Sequence, residues 1–250
     1  MEFEKKILNF LIGKEFSNAL EIKICDREKN IISRIELLKN ITKNKKIIHL
    51  GCCDHLELIE SKIKSNIWLH GILMKTSKEC LGVDINSEGI DYLKEKLNIA
   101  DIICANLVNE KIDLIMNGEW DYLICGEIIE HIDNPVDFLK SIHENYSSSI
   151  KKIVITVPNA FSLTNHKYLM KQKEIINSDH RYWFTPFTLG KTLTMAGYNI
   201  ESFYFAQELN KGISLKAKLK VLPFLRQVIR SKKLRTIPAF RDILIMIAEF

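Results

Sequence analysis

The feature that most constrains this chain is an alternation between two kinds of segment. Short apolar runs of strand length occur at Lys46–Leu50, Cys80–Asp84, Ile102–Ala105, Trp120–Cys125, Lys152–Val157 and Tyr198–Phe205, with a seventh at Ile243–Ala248. Between them, Leu56 to about Lys75, Ser87–Leu97, Pro135–Tyr146 and Phe187–Ala196 carry helical periodicity, with Ser87 as a plausible N-cap. Strands that alternate with helices pair in parallel, because each return to the same sheet edge needs a crossover, and the crossover helices then cover both faces. The last two runs are separated by a longer helical stretch and are expected to pair antiparallel at one edge. The chain is therefore read as an α/β protein built on a mostly parallel sheet.

The flanks complete a single domain. Residues 3–44 read as a helical cap, broken around Gly13 and again near Asp26, ahead of a core over 45–205. A basic helical insertion over 206–241 and the last strand over 242–250 follow. Hydrophobic residues make up 46% and charged residues 27%, which excludes a disordered or fibrous chain. No apolar stretch approaches the ~20 residues that cross a bilayer. The opening Met-Glu-Phe-Glu-Lys-Lys carries acids where a secretory signal is basic, so a soluble cytoplasmic protein is expected. The six cysteines (25, 52, 53, 80, 104 and 125) form no C-x-x-C pair, which argues against a zinc ribbon or a thioredoxin motif. Reduced cysteines serving as small core residues are the expectation.

Charge is unevenly spread. Residues 211–241 contain ten Lys/Arg and no Asp/Glu, whereas the remainder has 26 basic against 31 acidic residues. Apolar residues interleave with the basic ones, so the stretch reads as amphipathic helices. It is either a solvated helical face or a surface for an anionic partner such as a phosphorylated substrate, nucleic acid or acidic lipid.

Ligands of open parallel sheets sit at the carboxyl ends of the strands. Those ends here read His49-Leu50-Gly51-Cys52-Cys53-Asp54-His55, then Gly82-Val83-Asp84-Ile85-Asn86, then Cys104-Ala105-Asn106-Leu107. An aspartate one strand after a glycine turn can accept both hydroxyls of a ribose, and an asparagine one strand further can meet an adenine edge. With Gly126-Glu127-Ile128-Ile129-Glu130-His131-Ile132 and Val157-Pro158-Asn159, these blocks resemble the class I S-adenosylmethionine-dependent methyltransferases over roughly residues 45–205. The resemblance implies a Rossmann-like sheet of seven strands with the last antiparallel, and S-adenosylmethionine as cofactor. It implies a cofactor-binding set of His49, Gly51, Cys52, Asp84, Ile85, Asn106 and Gly126. The chain departs from the family in its turn: the positions of acid-x-Gly-x-Gly-x-Gly hold His49, Gly51, Cys53 and His55, so one glycine of three remains.

The chemistry centres on Glu127, Glu130 and His131, spaced i, i+3 and i+4. A helical turn beginning after Gly126 puts all three on one face, where two carboxylates and an imidazole suit a hard or borderline divalent ion. The block, with the later His180, resembles two metal-assisted branches of the family, the 2′-O-methyltransferases of small RNAs and the O-methyltransferases of ubiquinone synthesis. By that likeness Glu127, Glu130, His131 and His180 hold Mg²⁺ or Mn²⁺. Two other readings stay open: His131 as a metal-free general base, and the Glu-His pair as a marker of the fold. Asn159, His180, Arg181 and Tyr182 are the candidate substrate residues.

The Gly-Cys-Cys-Asp-His turn, with the later Trp68-Leu69-His70, resembles bacterial methyltransferases of surface-polysaccharide synthesis. The expected activity is O-methylation of a small anionic or sugar-type metabolite, such as a surface-polysaccharide precursor or a phosphoramidate substituent. Its partner would be a nucleotide-linked or phosphorylated small molecule, with peripheral membrane contact through 211–241. RNA 2′-O-methylation is the alternative, weakened because no aromatic residues for base stacking interleave with the basic ones. A catalytically inactive adaptor is the third.

Overall fold

The computed structural model describes residues 1–24, 30–54, 56–207 and 232–250. Cys25, His55 and most of the expected basic insertion lie outside the described residues. Seven strands, β1 Lys46–Leu50, β2 Glu79–Asp84, β3 Ile102–Cys104, β4 Trp120–Gly126, β5 Ile150–Pro158, β6 Asn199–Ala206 and β7 Ile243–Glu249, form one sheet. Its order is β3-β2-β1-β4-β5-β7-β6. The first five strands pair in parallel, and β7 runs antiparallel between β5 and β6. The order reverses between β1 and β4, so their carboxyl ends flank a crevice where ligands of such sheets bind.

The apolar runs are unbroken because neighbouring residues face opposite, equally buried sides. Ile48, Leu123, Ile153, Ile155 and Met246 join one core with Phe3, Leu11, Leu139, Leu189 and Leu193. Ile47, Ile124, Val154, Ile245 and Ile247 join the other with Leu38 and Leu73. The described helices are α1 Lys5–Leu11, α2 Arg34–Thr42, α3 Leu56–Lys64, α4 Leu69–Thr76, α5 Ser87–Leu97, α6 Asp113–Met116, α7 Pro135–Tyr146, α8 Leu163–Leu169 and α9 Pro186–Met195. Of these, α1, α2, α4, α7 and α9 supply these residues, while α3 and α5 join a third cluster through Ile59, Ile90 and Leu93.

Four expectations are corrected. The cap breaks at Gly13, which takes φ +78°, as expected, but helix does not return directly after it: among the described residues the next helix begins at Arg34. Between them Leu20, Ile22 and Ile24 are half-buried while Glu21 and Lys23 are exposed, the two-residue period of an extended segment packed on the core. The helical stretch expected over 56–75 is two helices, parted at Asn66, whose left-handed φ of +53° asparagine tolerates. Asn86 rather than Ser87 caps α5, its side chain accepting the Gly89 N–H at 3.0 Å. Arg241 belongs to no basic surface. It is fully buried and donates to the carbonyls of Phe205 (2.9 Å), Asn30 (2.8 Å) and Leu234 (3.3 Å), so it pins the chain ahead of β7 to the cap. Lys232, Lys233 and Arg235 are exposed.

Cys52, Cys53, Cys80 and Cys125 are buried as expected, whereas Cys104 is exposed. Among the described residues no helix is long and apolar enough to cross a membrane.

Candidate active site at the strand tips

The turn after β1 is built around its one glycine. Gly51 takes φ +77° and donates its N–H to Val83 O at 2.8 Å, and a Cβ here would lie 2.9 Å from Ile128 Cδ1. Only glycine meets both conditions at no cost. Asp54 also adopts a left-handed φ, +57°. The Asp84 carboxylate clamps this turn: one oxygen accepts the Cys53 N–H at 2.9 Å and the other the Asn86 N–H at 3.0 Å. Asp84 is half-buried, and Ile85 beside it is 73% exposed, a large apolar side chain offered to solvent at a strand tip. This glycine-floored turn, carboxylate and bare isoleucine together suit an adenosyl group: a hydroxyl acceptor, an apolar platform and room for close backbone approach. Asn106 is half-buried at the end of β3, where its Oδ1 accepts the Val108 N–H at 3.0 Å and shapes its own loop.

His49 and Cys52, both expected to touch cofactor, are interior. His49 Nδ1 lies 3.2 Å from Nδ1 of the fully buried His70, and Cys52 has no exposed surface. Burial holds both imidazoles below their ordinary range, His49 well below and His70 down to about 4. The unfolded chain takes up a proton on His70 near pH 6.5, and the folded chain does so only near pH 4. The neutral ring's contribution is thus fully present above pH 6.5 and lost as pH falls toward 4, a change of about 3 kcal/mol. Thermal unfolding between pH 7 and pH 4 is expected to show this loss, and His70→Gln should reduce it, leaving the part that comes from His49.

The second half of the site follows β4. Gly126 ends the strand, and a Cβ there would lie 2.8 Å from Arg34 Nη2. Arg34, the first residue of α2, thus reaches over the tips from the cap, close enough to act electrostatically on His49 and Glu130. Nothing in the sequence near the strand ends announces it.

Glu127 corrects the expectation of one helical face. It takes φ +56°, its N–H donates to Thr156 O at 2.8 Å, and its carboxylate accepts from Thr156 Oγ1 at 3.0 Å. The turn that follows is a short 3₁₀ helix, Ile129–His131, which begins after Glu127 and leaves it out of the cluster. What comes together is Glu130, His131 and His180, with one ligand atom from each all within 4.8 Å of one another. The His131 and His180 rings stand edge to face at 4.6 Å.

Glu130 is the anomalous member. It has no exposed surface, and neither carboxylate oxygen has a hydrogen-bond partner on another residue. Burial, reinforced by the nearby Glu127 charge and opposed by its own backbone N–H and by Arg34, pushes its carboxyl up to about 8. His180 Nδ1 is likewise buried without a partner, and burial, with His131 beside it, holds this imidazole below its usual range. A buried carboxyl without a hydrogen bond to another residue costs about 1–3 kcal/mol, a cost that a bound ligand would offset. The donor set of one carboxylate and two imidazoles, with a ligand atom from each within 4.8 Å of the others, fits a divalent cation.

The residues expected to meet substrate are mostly engaged by the chain. Asn159 is fully buried and donates to Ala239 O and Arg241 O, both at 2.7 Å, while its Oδ1 accepts the Phe161 N–H at 3.0 Å. It fastens the end of β5 to the approach to β7 and has no face toward a substrate. Arg181 donates its backbone N–H to Glu130 O at 2.8 Å and its guanidinium to His131 O, and it pairs with Asp133. The Tyr182 hydroxyl donates to Asp133 O at 2.7 Å. Arg181 and Tyr182 therefore strap His180 across the 3₁₀ turn.

A family described as "Methyltransferase domain" matches residues 26–202. Among solved structures, the small RNA methyltransferase HEN1 superposes with a TM-score of 0.53 at 16% identity, covering 92% of this chain and 27% of that one. A SAM-dependent methyltransferase from Aquifex aeolicus superposes with a TM-score of 0.50 at 13% identity, covering 87% and 90%. These identities speak for the fold alone. The chain spans about a tenth of the length of the curated relatives it matches, such as the alanine–tRNA ligase of Clostridioides difficile, 27% identical over 108 residues.

Proposed function

We propose, from the premise that this chain belongs to the methyltransferase-domain family and is an S-adenosylmethionine-dependent methyltransferase, that it methylates an oxygen of a small anionic acceptor with the help of a divalent ion. The observation that carries this reading is Glu130, a buried carboxylate without a partner, facing two imidazoles beside the adenosyl cradle.

Each residue then has a part. Asp84 accepts from the ribose hydroxyls, Ile85 lies against the adenine, and Gly51 lets the backbone pass beneath the methionine end. Asn106 keeps the β3 loop shaped around the base. Arg34 takes the methionine carboxylate, and Gly126 keeps the space below its guanidinium clear. The cofactor supplies an electrophilic methyl on a sulfonium. Glu130, His131 and His180 would hold Mg²⁺ or Mn²⁺, which would supply Lewis-acid activation of the acceptor hydroxyl. The Glu130 carboxyl holds a proton near neutral pH and would have to release it to serve as a ligand. Arg181 and Tyr182 keep His180 over the site and limit access of water to it.

A phosphorylated or nucleotide-linked sugar suits the nine Lys/Arg of 211–240, which no acidic residue interrupts. The test is transfer of labelled methyl from S-adenosylmethionine to a panel of such sugars. Chelator-treated protein should be inactive and recover with Mg²⁺ or Mn²⁺. Transfer indifferent to chelator would replace the ion with His131 as general base. Arg34 gives a separate prediction, because it reads only the amino-acid end of the cofactor. Arg34→Met should weaken S-adenosylhomocysteine by about tenfold or more and leave 5′-methylthioadenosine, which lacks the carboxylate, unchanged. Equal losses for both compounds in calorimetry would remove Arg34 from that role.

A further inference from the structure

The turn under the proposed cofactor contains a second cluster that methyl transfer does not use. Cys52 Sγ, Cys53 Sγ and an Asp84 carboxylate oxygen all lie within 4.8 Å of one another. The neighbouring Cys52 thiol, burial and the Asp84 carboxylate push the Cys53 thiol up. Across Gly82 from Cys52 stands the His70 ring. A Cβ on Gly82 would lie 2.9 Å from Cys52 Sγ and 2.8 Å from His70 Cε1, so the sulfur and the ring share the space that glycine leaves. His70 is fully buried and its Nε2 has no hydrogen-bond partner.

Packing alone does not require this convergence. A cysteine used as a small apolar residue needs neither a second sulfur nor a carboxylate at its thiol. A four-coordinate soft ion, with bonds of about 2.0–2.3 Å to sulfur and oxygen, gathers its donors to within roughly 4 Å of one another. The three donors here are near that arrangement already, held by a turn whose backbone Asp84 fixes. Two thiolates select for the softer divalent metals, which separates this cluster from the carboxylate–imidazole group after β4. The way in is the half-buried rim of Asp84, where Ile85 and Asn86 are exposed and an open cleft lined by Asp54, Leu56, Glu57, Leu58 and Asn86 adjoins the turn.

We infer that Cys52, Cys53 and Asp84 form a binding site for a thiophilic divalent cation of the zinc–cadmium class, and that this cation and the cofactor ribose compete for Asp84. On binding, the two S–H bonds give their protons to solvent as two sulfur–metal bonds form, with no change of oxidation state. The competition rests on Asp84 holding the ribose, as proposed above; the site itself does not. Thiophilic metal would thereby act as a brake on cofactor binding.

The test uses Cd²⁺ with the full chain in a phosphine-reduced buffer. Titration should develop a sulfur-to-cadmium charge-transfer band that saturates at one equivalent, and the cadmium NMR shift of the native protein should report two thiolates. Cys52→Ser and Cys53→Ser should each halve the band and weaken uptake more than tenfold, while Cys104→Ser leaves it intact. Saturating Cd²⁺ should weaken S-adenosylhomocysteine at least tenfold. No band in the native protein, an oxygen- or nitrogen-only cadmium shift, or an undiminished band in both serine variants would overturn the site. An intact band with unaltered S-adenosylhomocysteine affinity would overturn the competition. Failure of metal-free protein to bind S-adenosylhomocysteine would instead count against the methyltransferase reading, and the cadmium band would still decide the site. The NMR shift decides it even if a serine variant does not fold.

Discussion

Glu130→Gln is expected to abolish methyl transfer while making the metal-free protein more stable at pH 8. The sign follows from burial. The folded chain keeps a proton on Glu130 up to about pH 8, whereas the unfolded chain releases it near pH 4.5. Between these values the folded state binds the extra proton, so stability is lost as pH rises through the window. Glutamine removes that dependence. Its amide is also left without a partner, which offsets part of the gain, and an advantage of about 2 kcal/mol at pH 8, vanishing near pH 5, is expected. Saturating Mn²⁺ should reverse the order, because ligand stabilises only the chain that binds it. Thermal melts at the two pH values, with and without Mn²⁺, check this. A variant that is less stable at both pH values and still active would make Glu130 a packing residue. A site that gives up stability to keep a buried ionisable carboxyl is what a functional acid looks like.

Asp84→Ala is expected to weaken S-adenosylhomocysteine binding by about a hundredfold or more, since a charged acceptor of two ribose hydroxyls contributes about 1.5–3 kcal/mol per hydrogen bond. The same carboxylate accepts the Cys53 and Asn86 N–H groups, so the unliganded variant should also melt earlier, by the equivalent of about 1–2 kcal/mol. Asp84→Asn keeps an acceptor and should fall between. Calorimetry separates the two effects, because the melting change is read without ligand. Unaltered affinity in Asp84→Ala would remove the aspartate from the site.

Much of the architecture is legible in the sequence because its signals are periodic. Runs such as Ile47-Ile48 and Ile153-Val154-Ile155 bury alternate side chains on two faces and so stand out as continuous apolar stretches. The segment over Leu20, Ile22 and Ile24 also has a period, but of two residues over too short a length to override the helix-forming residues around it. Left-handed residues are harder to read. Gly13 and Gly51 announce themselves, whereas Asn66 and Glu127 adopt positive φ because the surrounding fold requires it, and at Glu127 this moves one carboxylate out of the expected cluster.

Within the site, the strand-end positions of Gly51, Asp84 and Gly126 follow from the alternation, as does the nearness of Glu130 to His131. The approach of His180 does not, since it depends on Arg181 and Tyr182 binding the carbonyls of His131 and Asp133 some 50 residues earlier in the chain. Arg34 escapes a reading of the sequence for a similar reason: it lies in the cap, and only the packing of α2 on a face of the sheet brings its first residue to Gly126. Asn159 misleads because an asparagine at a strand end looks available until its amide is seen donating to two backbone carbonyls.

The most direct measurement is a crystal structure of the chain with S-adenosylhomocysteine bound. The account predicts ribose hydroxyls within hydrogen-bond distance of the Asp84 carboxylate, adenine against Ile85, the amino-acid carboxylate on Arg34, and sulfur on the side of Glu130 and His131. A nucleoside bound away from Asp84, with Glu130 still enclosed by the protein's own side chains, would contradict it.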